Sequence, residues 1–236
     1  MITQAMILAA GLGKRLRPLT DTTPKPLIAV GGKTLLDHAL DQAAKAGVTH
    51  CVINTYHLAE QIHHHLKSRT QPHITFSDEA ELLETGGGIA KALPHFHSKP
   101  FFVLNADIWW QDGGVFQQLS NRWDSEKMDA LLLLVPLKRA IGYTGPGDYF
   151  LHPNGRARYR KNEPTAPYIF SGIRIVHPQL FAGQTVRPFS IIPLFHQAEQ
   201  QDRLYGLIHE GPWGDIGTAA SLEGVRKYVT PHVSVY

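Results

Sequence analysis

Cysteine is almost absent from this chain of 236 residues, in which Cys51 is the single example. No internal disulfide can form, and zinc sites built from several cysteines are excluded. A chain without disulfides suits a reducing compartment, so we expect a cytoplasmic protein. The first residues, MITQAMILAAG, agree with this expectation because they lack the basic segment and the longer apolar segment of a secretory signal peptide.

Long hydrophobic runs and a strong excess of one charge are missing as well. The longest apolar stretch covers residues 130–137, far short of the roughly 20 residues that cross a bilayer as a helix. The formal net charge is only +3, and the basic residues concentrate at 14–33 and 156–161. Without a continuous basic stripe, we expect neither a membrane nor a nucleic acid as partner, and anionic small molecules suit the local charge better.

Short apolar runs alternate with amphipathic stretches in the first part of the chain. The pattern predicts strands at 5–10, 48–55, 73–77, 101–105 and 130–136, and helices at 33–46, 58–67, 87–93 and 114–121. Repetition of strand, helix and strand is typical of a doubly wound α/β fold with a mostly parallel sheet.

Glycine, proline and shorter strands dominate after residue 137. The pattern there predicts strands at 148–151, 157–160, 169–177 and 204–209, and helices at 191–201 and 218–228. No linker-like or low-complexity segment separates the two parts. We therefore predict a single domain over residues 1–236, with halves at 1–137 and 138–236 that share one sheet.

The stretch GLGKRLRPLTDTTPKPL at residues 11–27 follows the first predicted strand and combines glycines with basic residues. Such loops commonly hold phosphate, because glycine lets backbone N–H groups approach an anion closely. The P-loop motif is excluded, since Lys14 is followed by Arg15 instead of serine or threonine. The dinucleotide-binding turn is excluded too, because Leu16 replaces its third glycine and Pro18 prevents a long helix. An extended basic loop around a triphosphate is left.

Two segments of this loop, LAAGLGKRLRPLT at 8–20 and PKPL at 24–27, resemble the signature of sugar-1-phosphate nucleotidyltransferases. These enzymes join a nucleoside triphosphate to a sugar 1-phosphate and release pyrophosphate. Further motifs follow in family order, so the resemblance runs from Leu8 to Val225. It implies a Rossmann-like, glycosyltransferase-A-like fold, in which the N-terminal half binds the nucleotide and the C-terminal half binds the sugar phosphate.

The resemblance implies two catalytic cations in the loop. Arg15 would neutralise charge on the α-phosphate and the leaving pyrophosphate, and Lys25 would bridge the attacking phosphate and the α-phosphate. The flanking Pro24 and Pro26 restrict the backbone on both sides of Lys25. The residues expected to surround the triphosphate are Ala10, Gly11, Leu12, Gly13 and Lys14; the family often has threonine at the last of these positions.

The segment ETGGGIAKAL at 84–93 has three consecutive glycines before a predicted helix. The family places such a segment against the nucleobase, where backbone N–H and C=O groups can reach the base edge. We therefore expect Leu82, Gly86 and Gly87 to bind the nucleotide, together with Asn105 from the segment LNADIWW at 104–110.

Two acidic residues lie at positions where the family binds Mg²⁺. Asp107 comes just after a predicted strand, where ligands commonly bind in open α/β sheets. Asp215 lies in PWGDIGT, before the last predicted helix, where helix capping is the alternative role. The resemblance implies that both carboxylates share one Mg²⁺ with phosphate oxygens and water, as this hard cation prefers.

The segment KNEPTAPYIFSGIRIVHP at 161–178 resembles the sugar side of the family pocket. The family commonly has Glu-Lys-Pro followed by a small residue and glycine on a strand. Here Glu163 occupies the usual lysine position, so we expect Lys161 to contact the sugar phosphate instead and Glu163 to bind sugar hydroxyls. Ser171 and Gly172 match the later pair.

The histidine-rich segment HLAEQIHHHLK at 57–67 is not the H-E-x-x-H zinc motif, and successive histidines point about 100° apart on a helix. No Ser–His–Asp or Cys–His motif is present either. The family reaction needs none, because a phosphate oxygen that is already ionised is the nucleophile.

Within the family, ETGGGI, FSGI and the chain length are most similar to uridylyltransferases that act on N-acetylmuramate 1-phosphate in peptidoglycan recycling. We therefore expect UTP and this sugar phosphate as substrates. GTP with mannose 1-phosphate and dTTP with glucose 1-phosphate are the alternatives. A non-catalytic nucleotide-sensing subunit is the alternative of another class, and it tends to lose the loop arginine or the metal-binding acids. Arg15, Lys25, Asp107 and Asp215 are all present.

Overall fold

The computed structural model describes residues 2–111 and 113–230. Its strands in chain order are β1 (Gln4–Leu8), β2 (Ala29–Val30), β3 (Lys33–Thr34), β4 (His50–Thr55), β5 (His73–Asp78), β6 (Phe101–Asn105), β7 (Ile108–Trp110), β8 (Ala130–Pro136), β9 (Tyr149–Leu151), β10 (Ala157–Tyr159), β11 (Tyr168–Val176), β12 (Leu204–Ile208) and β13 (Trp213–Asp215).

The α-helices in chain order are α1 (Leu19–Thr22), α2 (Leu35–Lys45), α3 (Ala59–Leu66), α4 (Glu84–Ala92), α5 (Val115–Arg122), α6 (Ile192–Gln200) and α7 (Ala219–Val229). Single 3₁₀ turns occur at Lys14–Leu16, Lys25–Leu27, Leu93–Phe96, Leu137–Arg139 and Pro178–Phe181. No helix in the described ranges is long and apolar enough to cross a membrane.

Nine strands of the described residues form one sheet, in the order β10-β9-β11-β6-β1-β4-β5, with β8 pairing β11 and β12 pairing β8. β6, β1, β4 and β5 run parallel, whereas β11 is antiparallel to β6 and β8. Strands from both parts of the chain therefore share this sheet. The expected mixed, mostly parallel α/β sheet in a single domain is confirmed, and the functional division at residue 137 stays a prediction.

Both faces of the sheet are covered, which explains why the central strands are apolar without alternation. On β1, Met6 and Ile7 point to opposite faces and both are fully buried. One face packs against α2, α3 and α5, for example through Leu40, and the other packs against α4 and α6, for example through Phe195. This double covering leaves the strand ends as the place where a ligand can reach the sheet.

Two short ladders were not expected from the sequence. β2 pairs with β3, so the predicted helix at 33–46 begins only at Leu35, where Thr34 caps it by accepting a hydrogen bond from the Asp37 N–H. β13 pairs with β7, which brings Asp215 opposite Ile108. Strands of two or three residues carry too little periodicity to predict, and the second ladder joins positions more than 100 residues apart.

The helix predicted at 87–93 begins at Glu84, so its three glycines lie inside α4. A Cβ atom on Gly86 would lie 2.3 Å from the Phe189 ring, and one on Gly87 would lie 2.1 Å from the Arg187 carbonyl oxygen. The N–H groups of both glycines donate to the Phe189 carbonyl, at 2.8 and 3.2 Å. The glycines therefore allow the segment 187–190 to lie directly on the helix.

We expect Gly87→Ala to lower the free energy of unfolding by about 1 to 3 kcal/mol, because the added methyl overpacks against backbone that cannot yield cheaply. Gly224→Ala in α7 is the matched control. Its Cβ would meet nothing nearer than 3.6 Å, and alanine in a helix gains about 0.5 to 1 kcal/mol over glycine. Urea unfolding of both variants measures the difference, and equal stability of the two variants would contradict this packing.

Candidate active site

A cleft of about 400 Å³ opens where the parallel strands β1, β4 and β6 end. Loops after these strands and the start of α4 complete its walls. The described residues that line it are Leu8, Ala9, Ala10, Gly11, Lys25, Pro26, Asn54, Leu82, Glu84, Thr85, Asn105, Ala106, Asp107 and Ser190. The sequence expectation of a ligand site at this edge of the sheet therefore coincides with a cavity large enough for a small molecule.

The glycine loop follows β1 and contains only short helical turns. The absence of a long helix from this loop agrees with the expectation from Pro18. Gly13 has φ of +61°, and a Cβ atom there would lie 2.7 Å from Thr20. The Thr20 hydroxyl donates to the Gly13 carbonyl at 2.9 Å. Glycine is thus required both by the backbone conformation and by this close contact. The adjoining Lys14 and Arg15 are exposed.

Lys25 is buried, with 9% of its surface exposed, and its side chain points inward from the 3₁₀ turn between Pro24 and Pro26. Its Nζ atom lies 2.5 Å from the Asp107 Oδ2 atom. An ammonium group is seldom this buried without a partner, and this pair joins two of the predicted site residues that are 82 positions apart.

Asp107 and Asp215 are brought together by the ladder of β7 and β13. The Ile216 N–H donates to the Asp107 carbonyl at 2.9 Å. Burial raises the pKa of the Asp215 carboxyl, and the nearby Asp107 charge raises it further, while Lys25 and Arg15 act in the opposite direction. The two carboxylates thus repel each other, and of the two only Asp107 lines the cleft.

Gly217 separates the Arg15 guanidinium from the Asp215 carboxylate. A Cβ atom at Gly217 would lie 2.8 Å from the Arg15 Nη2 atom and 2.8 Å from the Asp215 Oδ2 atom. The glycine of the sequence Asp-Ile-Gly is thus explained by close approach of two charged groups. Lys25 and Asp107 lie close to this pair, so two cations and two anions occupy one small region.

The carboxylates of Asp107 and Asp215 are ligands of the kind that a magnesium ion prefers. No cluster of three or more histidine, cysteine or acidic side chains that could hold a metal occurs among residues 2–111 and 113–230. Mg²⁺, however, commonly binds through one or two carboxylates, with substrate phosphates and water as its other ligands. A pair of adjacent carboxylates that repel each other is suited to such an ion.

The end of the cleft at which a nucleobase is expected differs in part from the prediction. Leu82 lines the cleft, as do Glu84 and Thr85. Gly86 and Gly87 are buried and do not line it, and their N–H groups are already used by the segment 187–190. The structure therefore accounts for these two glycines by packing, and free N–H groups for the base are not available from them in this conformation.

Asn54 and Glu79 form a buried link that the sequence analysis missed. The Asn54 Oδ1 atom accepts from the Ala9 N–H at 2.9 Å, and its Nδ2 atom donates to Glu79 at 2.7 Å. Glu79 in turn accepts from the Leu83 N–H at 2.8 Å. The glycine loop and the loop before α4 are thus held together, and Gly88 leaves room for this link, since its Cβ would lie 2.8 Å from both side chains.

On the expected sugar side, Lys161 and Glu163 are not brought to the cleft. Lys161 lies 3.7 Å from Glu199 on α6, and Glu163 lies 2.5 Å from Arg158 on β10. Neither is among the described residues that line the cavity. Their ion pairs direct both side chains elsewhere, so this geometry does not support the expected sugar contacts.

Ser171 and Gly172 shape the site through the backbone. Ser171 is fully buried, and its hydroxyl accepts from the Ile173 N–H at 3.1 Å. Gly172 has φ of +85°, and its Cβ would lie 3.0 Å from the Asn105 Nδ2 atom. The pairing register of β11 with β8 shifts at this point. The pair thus forms a bulge against Asn105, and the buried Ser171 hydroxyl does not reach a sugar in the cleft.

Asp148 is a further residue near this side that no sequence motif indicated. Its Oδ2 atom accepts from the Phe170 N–H at 2.9 Å. Burial raises the pKa of the Asp148 carboxyl, although the Phe170 hydrogen bond and Arg160 lower it in part. Arg160 donates to the carbonyls of Gly147 and Glu163, at 2.9 and 2.6 Å. A lone acid before a three-residue strand carries no recognisable pattern, so only the structure could reveal it.

Comparison with known proteins agrees with this fold and site. The sequence model of the family described as nucleotidyl transferase matches residues 4–144. The chain therefore belongs to the nucleotidyl transferase family, and the sugar-1-phosphate class of these enzymes, expected from the motifs, is confirmed.

Two curated relatives carry the name N-acetylmuramate alpha-1-phosphate uridylyltransferase. The chain is 38% identical to the Caulobacter vibrioides protein over 90% of its own length and 91% of the relative. It is 38% identical to the Neisseria meningitidis serogroup B protein over 93% and 95%. A Bacillus anthracis structure described as a glucose-1-phosphate thymidylyltransferase has a TM-score of 0.81 at 19% identity, covering 96% of this chain and 94% of the other.

Proposed function

We propose that this protein transfers a uridylyl group from UTP to N-acetylmuramate 1-phosphate and releases pyrophosphate. The observation that carries the proposal is the convergence of Lys25, Asp107, Asp215 and Arg15 beside the cleft. The names of the two relatives at 38% identity support the choice of nucleotide and sugar. A cytoplasmic location would suit these substrates.

The chemistry requires two anions to approach each other. An oxygen of the sugar 1-phosphate attacks the α-phosphorus of the triphosphate, and the bond from that phosphorus to pyrophosphate breaks. The attacking oxygen is already ionised, so positioning and neutralisation of charge are the main contributions expected from the protein. This agrees with the presence of two cations, Lys25 and Arg15, close to the carboxylates of the site.

Each loop residue has a role in this proposal. Backbone N–H groups of residues 10–14 face the triphosphate. Arg15, which is exposed and lies close to Asp215, neutralises the leaving pyrophosphate. Lys25 exchanges its contact with Asp107 for the two reacting phosphates as they arrive, since an ammonium group can share its three donors among several oxygens.

Asp107 and Asp215 would hold Mg²⁺ in this proposal. When bound, the ion would supply Lewis-acid stabilisation of charge on the α-phosphate. Before binding, Lys25 partly neutralises Asp107 through the 2.5 Å contact. Asp107, which would help to hold the ion, is thus also the carboxylate that Lys25 contacts in the free protein.

The base and sugar can be tested with a matrix of substrates. Purified protein with Mg²⁺ is mixed with each of UTP, GTP, dTTP and CTP against N-acetylmuramate, N-acetylglucosamine, mannose and glucose 1-phosphates. Mass spectrometry identifies the nucleotide sugar. We expect UTP with N-acetylmuramate 1-phosphate to give the highest kcat/KM, and a preference for GTP with mannose 1-phosphate would contradict the proposed substrates while leaving the reaction class intact.

A further inference from the structure

Arg174 lies on β11 inside the apolar core, with 1% of its surface exposed. It pairs in register with Val103 on β6 and Leu132 on β8, and both of these residues are fully buried. In the ranges that the structure describes, its guanidinium has no carboxylate partner. Burial lowers the pKa of this guanidinium. A charge in such surroundings normally destabilises a fold unless it is paired.

Among the described residues, only one nitrogen of the guanidinium forms hydrogen bonds. Nη1 donates to the Asn105 Oδ1 atom at 2.7 Å and to the Gly172 carbonyl at 3.0 Å. The Nε and Nη2 atoms have no hydrogen-bond partner within residues 2–111 and 113–230. The guanidinium carbon lies 5.5 Å from the centre of the Phe170 ring. Core packing alone therefore gives no reason for arginine here. Besides its electrostatic interaction with Asp107 and Tyr149, the guanidinium provides these two hydrogen bonds.

One of these two contacts, Asn105, leads to the cleft, and the other holds the Gly172 bulge beside it. Asn105 lines the cavity and precedes Asp107 by two residues. An arginine carries only donors, so only the oxygen of the Asn105 amide can face it. The Nδ2 atom then lies on the side of the amide away from the guanidinium, and Gly172, which has no Cβ, leaves room for the Asn105 side chain in this position. Arg174 thus selects one of the two orientations of this amide.

We propose that Arg174 is a positioning residue for the transfer reaction, which fixes the Asn105 amide so that its NH₂ group is presented as a donor to an oxygen of the bound substrate. Phosphate and hydroxyl oxygens accept such a bond, whereas a flipped amide would turn its own oxygen towards them. This inference rests on the function proposed above. It adds a residue that does not itself line the cleft.

The first test compares two arginine-to-methionine variants. We expect Arg174→Met to keep or raise Tm, because a buried unpaired charge is replaced by an apolar side chain of similar size, and to lower kcat/KM by about 10- to 100-fold, since a misplaced group commonly costs up to 100-fold. Arg203→Met is the matched control. Arg203 pairs with the buried Asp129 at 2.8 Å, and neither residue lines the cleft. The Arg203→Met variant should therefore lower Tm and leave kcat/KM unchanged.

The second test asks whether the effect passes through Asn105. Asn105→Ala should show a similar loss, and the double variant Arg174→Met/Asn105→Ala should be no worse than either single variant. Arg174→Lys, which keeps a charge and a donor, should recover part of the activity.

Wild-type kcat/KM in Arg174→Met, or additive losses in the double variant, would overturn the role of Arg174. An inactive wild-type protein in the full substrate matrix would instead contradict the proposed function itself. A fall in Tm of Arg174→Met as large as that of Arg203→Met, with activity per folded molecule unchanged, would assign Arg174 a purely structural role and also overturn the proposal.

Discussion

Replacing Lys25 by methionine is expected to lower kcat by about 10²- to 10³-fold, the loss typical when one preorganised donor to a developing charge is removed. Lys25 is the buried cation of the site, and its Nζ atom lies 2.5 Å from Asp107. Methionine keeps most of the side-chain volume, so the change removes charge rather than packing. A coupled assay of pyrophosphate release at saturating substrates measures the effect.

Magnesium dependence distinguishes this role from an indirect one. Without Lys25, the two carboxylates lose a competitor for the cation, so half-saturation by Mg²⁺ should shift to lower concentration while kcat stays low. Lys33→Met is the matched control, since Lys33 also lies 2.5 Å from an aspartate, Asp41, but on the surface. Recovery of wild-type kcat in Lys25→Met at high Mg²⁺ would rule out the direct role proposed for this lysine.

Asp215→Asn is expected to separate stability from activity. It should reduce kcat/KM by at least about 100-fold at physiological Mg²⁺, because one of the two carboxylates proposed to hold the ion is lost, and loss of even an outer-shell partner of a metal site commonly costs 10- to 100-fold. In the metal-free protein it should raise Tm by about 2 to 4 °C, the shift that corresponds to roughly 1 kcal/mol in a chain of this size. Differential scanning fluorimetry in EDTA and steady-state kinetics measure both.

The sign of the stability change follows from the pKa of Asp215. Its folded-state value is raised above the ordinary 3.8, first by burial and then by Asp107. The contribution of Asp215 to the stability of the metal-free protein therefore falls as pH rises from 3.8 to the raised pKa, and this contribution stays lower at neutral pH. Asparagine carries no charge to penalise, so Asp215→Asn should remove this part of the pH dependence.

Asp41→Asn gives the opposite control. Burial alone would raise the pKa of the Asp41 carboxyl, but hydrogen bonds from Lys33 and Arg69 lower it below its ordinary value. Its charge therefore contributes to stability, and Asp41→Asn should lower Tm slightly and leave kcat unchanged. If Asp215→Asn destabilised the metal-free protein as Asp41→Asn does, the account of two repelling carboxylates would be wrong.

The sequence predicts the elements in which the hydrophobic period extends over many residues. The prediction fails where the bounds of an element depend on residues that are distant in sequence. The strand predicted at 5–10 ends at Leu8, because the Ala9 N–H leaves the ladder and donates to Asn54, which is 45 residues away. The ladder of β7 and β13 depends equally on distant segments. Local patterns carry no information about such partners, and these partners decide where an element ends.

The site divides in the same way. Some predicted residues occur in motifs whose residue types suit phosphate and metal binding. The structure brings three of them together, namely Lys25, Asp107 and Asp215. Lys161 and Glu163 are predicted as sugar contacts only from their position relative to a family triplet. In the structure their side chains form ion pairs with Glu199 and Arg158. The direction of a side chain in an irregular loop depends on which partner the fold supplies, and the sequence of the loop does not contain that partner.

In the proposed reaction, a sugar phosphate oxygen attacks the α-phosphorus of UTP, so the phosphate of the sugar passes intact into the product. An isotope experiment follows this transfer, with N-acetylmuramate 1-phosphate that carries ¹⁸O in its phosphate, unlabelled UTP and Mg²⁺. This account predicts that the nucleotide sugar keeps all of the label and that the pyrophosphate contains none. Label in the pyrophosphate, or pyrophosphate released at the same rate without the sugar phosphate, would contradict it.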